Sequence, residues 1–297
     1  MISRRLVSLV VACLLGLPPA AEAWGWEAHR FVMDRAIALL PTELRPLFER
    51  YRATVVERSI DPDTWRTAGF GDEGPRHQLQ LDWGGYGKYP FAELPRDYAA
   101  AVAKFGRTTI EENGTLPWRV EESHGSLRRA FEAYRRPATL RRFELLFFAA
   151  WLSHYVQDAV VPFHATVNFD GQETGQDGLH ARWETALFER YRAELQLSPQ
   201  PLPAVTNPRD FIFDRLLEGN ELVPVVLEHD RKAIGRRDVY DEGYFTAFFA
   251  ATRPVLERRL SLAIAATAAM IAGAWEEAGR PAVPVDVSPP TPQRRAR

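Results

Sequence analysis

The run "TLRRFELLFFAAWLSHYVQDAV", residues 139–160, constrains this chain most. It is apolar on nearly every side, so as a helix it has no face to give to water and must run through the middle of a core. Yet its C-terminal end carries His154 and Asp158, four residues apart. That spacing puts both on one helical face, one turn apart. A carboxylate at the end of a buried helix is costly unless a metal or hydrogen bonds neutralise it. Pro162 should end the helix and let the chain bring His164 back toward the same place. A second pair with the same spacing, His180 and Glu184, follows in "LHARWE".

The rest of the chain fits around such a helix. Helical periodicity covers "HRFVMDRAIALL", "RDYAAAVAKFGRTTIEEN", "WRVEESHGSLRRAFEAYRR", "HARWETALFERYRAEL" and "NPRDFIFDRLLEG". Pro41 suits the start of a helix over "PTELRPLFERYRATVVER". The long segment from Phe245 to Gly279 is helical too, with Pro254 expected to divide or kink it. No run alternates as a strand would, so the fold class is all-α, a single multi-helix domain from Trp24 to about Gly279. Residues 280–297 are Pro-rich with a basic end and read as a disordered tail. The stretch 69–93 is long and irregular for a helical domain, which marks it as functional.

Residues 1–23 read as a signal peptide: Arg4 and Arg5, an apolar run of about a dozen residues, then Ala21 and Ala23 as a small-x-small cleavage site. That run is too short to span a bilayer, and cleavage would make Trp24 the first residue of an exported, periplasmic or extracellular protein with no transmembrane segment. The competing reading is lipidation at Cys13, which the continued apolar run disfavours. Cys13 is the only cysteine, so the mature chain has no disulfide and no thiol chemistry. The formal charge of −2 becomes about −3 once Arg4, Arg5 and Glu22 are removed. This argues against sequence-independent binding to duplex nucleic acid.

One His–acid pair at helical spacing is commonplace on a solvated helix. Two pairs, with His164 between them and one member beside a buried run, point to a metal site in a bundle core, since imidazole and carboxylate are zinc's ligands. His124 and His229 lie in polar surroundings and read as surface residues.

On these motifs the chain resembles the zinc-dependent phospholipases C and their relatives, the single-strand-specific zinc nucleases and 3′-nucleotidases. The strongest part is "SHYVQDAVVPFHATVNFDGQETGQDGLHARWETALFER"; the N-terminal "WG…H", "DPDTWR…H" and the last apolar helix fill other slots. The resemblance implies a site for three Zn2+ between helices. Asp63, His77, His154 and Asp158 look like ligands of the first ion, and His164, His180 and Glu184 of the second. The third falls to His29, to Asp158 as a bridge, and to the free α-amino group and carbonyl of Trp24. Asp61 competes with Asp63, whose fourteen-residue distance to His77 resembles the phospholipase spacing. The implied activity is phosphodiester hydrolysis, a metal-activated water attacking phosphorus in line, with Asp63 orienting the water and Arg66 holding a phosphate oxygen. For Arg66 a solvated surface charge is an equal alternative. Manganese or iron would accept many of these ligands.

Glu184 in place of Asp, and the sixteen residues from His164 to His180, resemble the phospholipases. The five residues from Trp24 to His29, and the D-x-x-R at 63–66, look more like the nucleases. The substrate is accordingly a phospholipid, approached by peripheral membrane contact, or else a nucleotide or single-stranded nucleic acid; no protein partner is indicated. Trp83, Tyr86, Tyr89 and Phe91 can cradle a choline or stack on a base, or simply pack beneath the long loop. A reading of another class is a non-catalytic zinc-binding surface protein, for which no amphipathic basic helix is present.

Overall fold

The computed structural model describes residues 25–134 and 141–285. The segment 1–24, with Trp24 and the cleavage site, and the end 286–297 lie outside the described residues. Among the described residues there is no strand.

In chain order the elements are α1 (Trp26–Ala36) with a 3₁₀ extension, α2 (Arg45–Arg50), α3 (Arg52–Glu57), a 3₁₀ turn Arg58–Ile60 and α4 (Asp61–Thr67). The long loop follows, with 3₁₀ turns at Gly74–His77 and Gly84–Tyr86. Then come α5 (Tyr98–Phe105), α6 (Arg107–Asn113), α7 (Leu116–Tyr134), α8 (Arg141–Asp158) and a 3₁₀ turn Pro162–Ala165. A three-part helical run comprises α9 (Leu179–Ala181), a π turn (Arg182–Ala186) and α10 (Leu187–Tyr191). Two long helices, α11 (Pro208–Ile234) and α12 (Glu242–Glu277), complete the domain.

The apolar run is the hub its sequence demands. α8 packs against α1, α3, α4, α7 and α12, and every residue from Leu152 to Thr166 is buried. Its N-terminal half is less enclosed. Phe143 stays exposed, while Phe147, Phe148 and Trp151 are half-buried and pack on one another and on Trp65.

Four expectations need correction. α12 runs unbroken through Pro254, and α11 through Pro224. Both prolines are exposed, so each ring stands on the solvent side of its helix rather than in the core. Pro41 precedes a turn, and the next helix starts at Arg45 with Pro46 in its first turn. The packed chain continues past Gly279: Trp275 donates to the Pro281 carbonyl at 2.9 Å, Tyr134 donates to that of Pro284 at 3.0 Å, and Val283 is buried. Finally, His124 is buried rather than on the surface, because α7 carries it beneath the C-terminal end of α12, 3.7 Å from Glu277. His229 is half-buried.

Backbone hydrogen bonds fix the long loop at the centre of the molecule. Leu79 donates to the carbonyl of His164 at 2.8 Å and Gln80 to that of Asn113 at 2.8 Å. Thr115 and Leu116 donate back to Pro75 and Gln78 at 2.7 and 3.1 Å. The chain approaches itself closely here only because residue 114 is glycine, at φ +106; a Cβ there would stand 2.1 Å from the Gln78 oxygen.

Candidate metal centre

Elements distant in sequence deliver side chains to one buried region. α1 supplies His29, α4 supplies Asp63 and the loop supplies His77. The end of α8 supplies His154 and Asp158, and the turn after it His164. The π-bulged run supplies His180 and Glu184. All are buried, and their donor atoms form three groups: His29, His154 and Asp158; Asp63, His77 and His154; His164, His180 and Glu184. Asp61 stands outside, half-buried and paired with Arg58 at 3.1 Å.

The spacing decides what these groups can do. Four ligands about 2.0–2.1 Å from a tetrahedral ion lie about 3.3 Å from one another. His29 Nε2 is 3.4 Å from Asp158 Oδ1, and His154 Nε2 is 3.4 Å from Asp158 Oδ2. Asp63 Oδ1 is 3.8 Å from His77 Nδ1 and 3.7 Å from His154 Nε2, and those two nitrogens are 3.1 Å apart. His164 Nε2 is 3.1 Å from His180 Nε2 and 3.9 Å from Glu184 Oε2. Two contacts are tighter: His77 Nδ1 to Asp158 Oδ2 at 2.9 Å and His180 Nε2 to Glu184 Oε1 at 2.7 Å. Asp158 thus turns one oxygen to His29 and the other to His77 and His154, the arrangement of a bridging carboxylate.

The outer nitrogens fix the tautomers. His29 Nδ1 donates to the Gln157 side-chain oxygen at 2.8 Å, and His154 Nδ1 to the Ser59 carbonyl at 2.8 Å. His164 Nδ1 donates to the His77 carbonyl. A neutral ring that donates from Nδ1 presents the Nε2 lone pair inward, as a metal ligand must. The last bond also makes His77 both a member of one group and a support for another. His77 presents Nδ1 to the centre, and its Nε2 faces Glu73 at 3.8 Å.

Burial holds the imidazoles neutral. It pushes the His29 pKa down to about 3 and that of His180 to about 4, against weaker upward pulls from Gln157 and Asp170 respectively. His77, His154 and His164 are held well below the usual range by burial and then by neighbouring cationic or imidazole groups. The pKa values of Asp158 and Glu184 are driven well above the carboxylate range, first by burial and then by the charge of Asp63. Among the described residues, His29 Nε2, Asp158 Oδ1 and Glu184 Oε2 have no hydrogen-bond partner. Buried carboxylates facing neutral lone pairs, with donor atoms left over, are the donor set a divalent cation neutralises. The three buried groups can hold metal ions.

Arg66 lies at the edge of the centre, partly exposed, with Nη2 3.4 Å from Asp63 Oδ1. Of the loop aromatics, Tyr86 and Phe91 are buried, Trp83 is half-buried against Tyr86 and Phe105, and Tyr89 remains exposed. Apolar rings beneath a long loop gain more from burial than from standing in water.

Sequence reasoning missed the supporting groups. Gln157 is legible in hindsight, as a polar residue in an apolar helix next to Asp158. Glu73 gives no such signal. It lies in an aperiodic loop, and only the fold buries it between His77, Tyr155, Arg76 and Arg119. In comparisons with known proteins, no family model matches the chain and no curated protein matches it.

Proposed function

We propose that this protein is a zinc-dependent phosphodiester hydrolase, acting first on phospholipid headgroups in the manner of a phospholipase C. One observation carries the reading: five neutral imidazoles and three carboxylates converge, buried, in three adjoining groups at the mutual spacing of metal ligands. Three zinc ions are assigned to these groups, with the α-amino group of Trp24 completing the ligands around His29.

Zinc ions clustered there would supply Lewis-acid polarisation of a phosphoryl group and acidify water. The chain's own residues supply the rest. Outward N–H bonds of His29, His154 and His164 hold the rings in place, so little reorganisation accompanies reaction. Asp63 would orient an attacking water and accept its proton. Arg66, partly exposed beside Asp63, presents a planar fork to a non-bridging phosphate oxygen. Leu152, Tyr155, Val156 and Ala159 to Val161, all fully buried around His154 and Asp158, would keep bulk water from that side of the centre.

Glu184 and the His164–His180 spacing favour the phospholipid. A second reading, a single-strand-specific nuclease or 3′-nucleotidase, is favoured by another observation. Rings run outward from His77 through Tyr155 and Trp151 to Trp65, the neighbour of Arg66, and the last two are half-buried. The Arg119 guanidinium covers the Trp151 ring at 4.2 Å, which leaves Trp65 as the ring with a face for a base to stack on. The deciding assay compares phosphatidylcholine with single-stranded DNA and 3′-AMP, zinc present. Faster turnover of phosphatidylcholine is expected; faster turnover of the nucleotides reverses the preference, and hydrolysis of none refutes the enzymatic reading.

A further inference from the structure

We infer that Arg182 is a positioning residue for the His164/His180/Glu184 group, locking the π turn that sets His180 against Glu184; the inference rests on the metal reading above.

Arg182 lies in the π turn, midway between His180 and Glu184, and its guanidinium bonds to Gln176, Asp177, Asp230 and Tyr244 rather than to either of them. An arginine in such a place is ordinarily exposed. This one is buried, and its guanidinium is tied on every side. Nε donates to the Tyr244 hydroxyl at 3.1 Å. Nη1 donates to the Asp177 carbonyl at 2.6 Å, and Nη2 to the Gln176 carbonyl at 3.0 Å. Nη2 also faces Asp230 Oδ1 at 3.3 Å, and the Tyr240 ring covers the group at 3.8 Å. Asp230, itself fully buried, is held in turn by the Tyr244 hydroxyl and by Gln176 Nε2 at 2.7 Å.

The partners come from three directions: the loop before α9, α11 through Asp230, and the first turn of α12 through Tyr244. One planar fork thereby fastens the π turn to the two longest helices. A π turn is wider than an α turn and rare, so it needs such external ties to persist. Relaxing it to α geometry would rotate Glu184 relative to His180 and to His164, which stands on a separate element. His180 Nε2 and Glu184 Oε1 are now 2.7 Å apart, and a metal site tolerates only small displacements of its ligands.

The test measures zinc content and zinc affinity by chelator competition on the full chain. Arg182→Met is paired with Asp230→Asn, so that no buried charge is left without its partner. Arg182→Lys is the second variant; it keeps a positive charge for Asp230 but cannot reach both loop carbonyls. Each is expected to fold cooperatively by circular dichroism and to bind one zinc fewer than wild type, or that zinc at least about tenfold more weakly, the lower end for removing a group that orients a ligand. Adding His180→Ala should then leave the total loss at that one zinc, because both changes act on the same site. A residue that only stabilised the fold would weaken all the metals alike. Wild-type zinc content and affinity in both variants overturns the inference, as does a total loss of two zinc ions once His180→Ala is added. A wild-type chain that binds no zinc overturns the metal reading, and the inference with it.

Discussion

Replacing Gly114 by alanine tests how the loop positions His77. Gly114 closes α6 at φ +106, ψ 155, a region that only glycine occupies freely. A side chain there costs about 1–3 kcal/mol in backbone strain. The new Cβ would also stand 2.1 Å from the Gln78 oxygen and 2.7 Å from its carbonyl carbon. Both are backbone atoms, so relief requires the loop to move, at a cost of about 1–3 kcal/mol for an overpacked contact. Gly114→Ala should therefore destabilise the protein by about 2–6 kcal/mol in denaturant unfolding. Gly106 is the control: it has φ +84 and ψ 148, with nothing within 4 Å of its Cβ position. Gly106→Ala should cost only the strain, about 1–3 kcal/mol. The difference isolates the clash. Because the Gln78 carbonyl adjoins His77, Gly114→Ala should also weaken zinc at the Asp63/His77/His154 group, and Gly106→Ala should not. Equal destabilisation by the two variants, or unchanged zinc affinity in Gly114→Ala, would refute the reasoning.

Three further outcomes are expected. Asp63→Asn should lower zinc content and activity, whereas Asp61→Asn, altering a half-buried partner of Arg58, should leave zinc content unchanged; the reverse pattern in metal analysis restores Asp61 as the ligand. A mature chain carrying one extra residue before Trp24 should lose one zinc and most activity, since an α-amino group ligates only when free and neutral; full zinc content makes Trp24 irrelevant. His124, pushed down to about 4 chiefly by burial, should make stability depend on pH. The unfolded chain takes up a proton below about 6.5 and the folded chain only near 4, so stability is lost as pH falls between those values, by up to about 3 kcal/mol. Wild type minus His124→Gln, measured by unfolding across that range, should show the loss; a flat difference contradicts it.

The all-α class was readable because the helical period runs through most of the chain and no segment competes with it. The side chains of the centre were readable for a narrower reason. Four-residue spacing within a helix is a local rule, so His154 with Asp158 and His180 with Glu184 could be named without the fold. Their meeting with His29, Asp63 and His77 is a tertiary fact, reached from sequence only through resemblance. What stayed hidden depends on long-range packing. Glu73 and Arg182 look like ordinary surface charges, and His124 has polar neighbours in sequence but buried ones in space. Pro254 carries the usual signal of a helix break, yet its position on the solvent side of α12 lets the helix continue.

The central claim is that the buried imidazoles and carboxylates hold metal. Elemental analysis by plasma mass spectrometry of the mature protein, purified without chelators, tests it most directly. Three zinc ions per chain are expected, one for each group. Fewer than two, with the protein folded, would contradict the account.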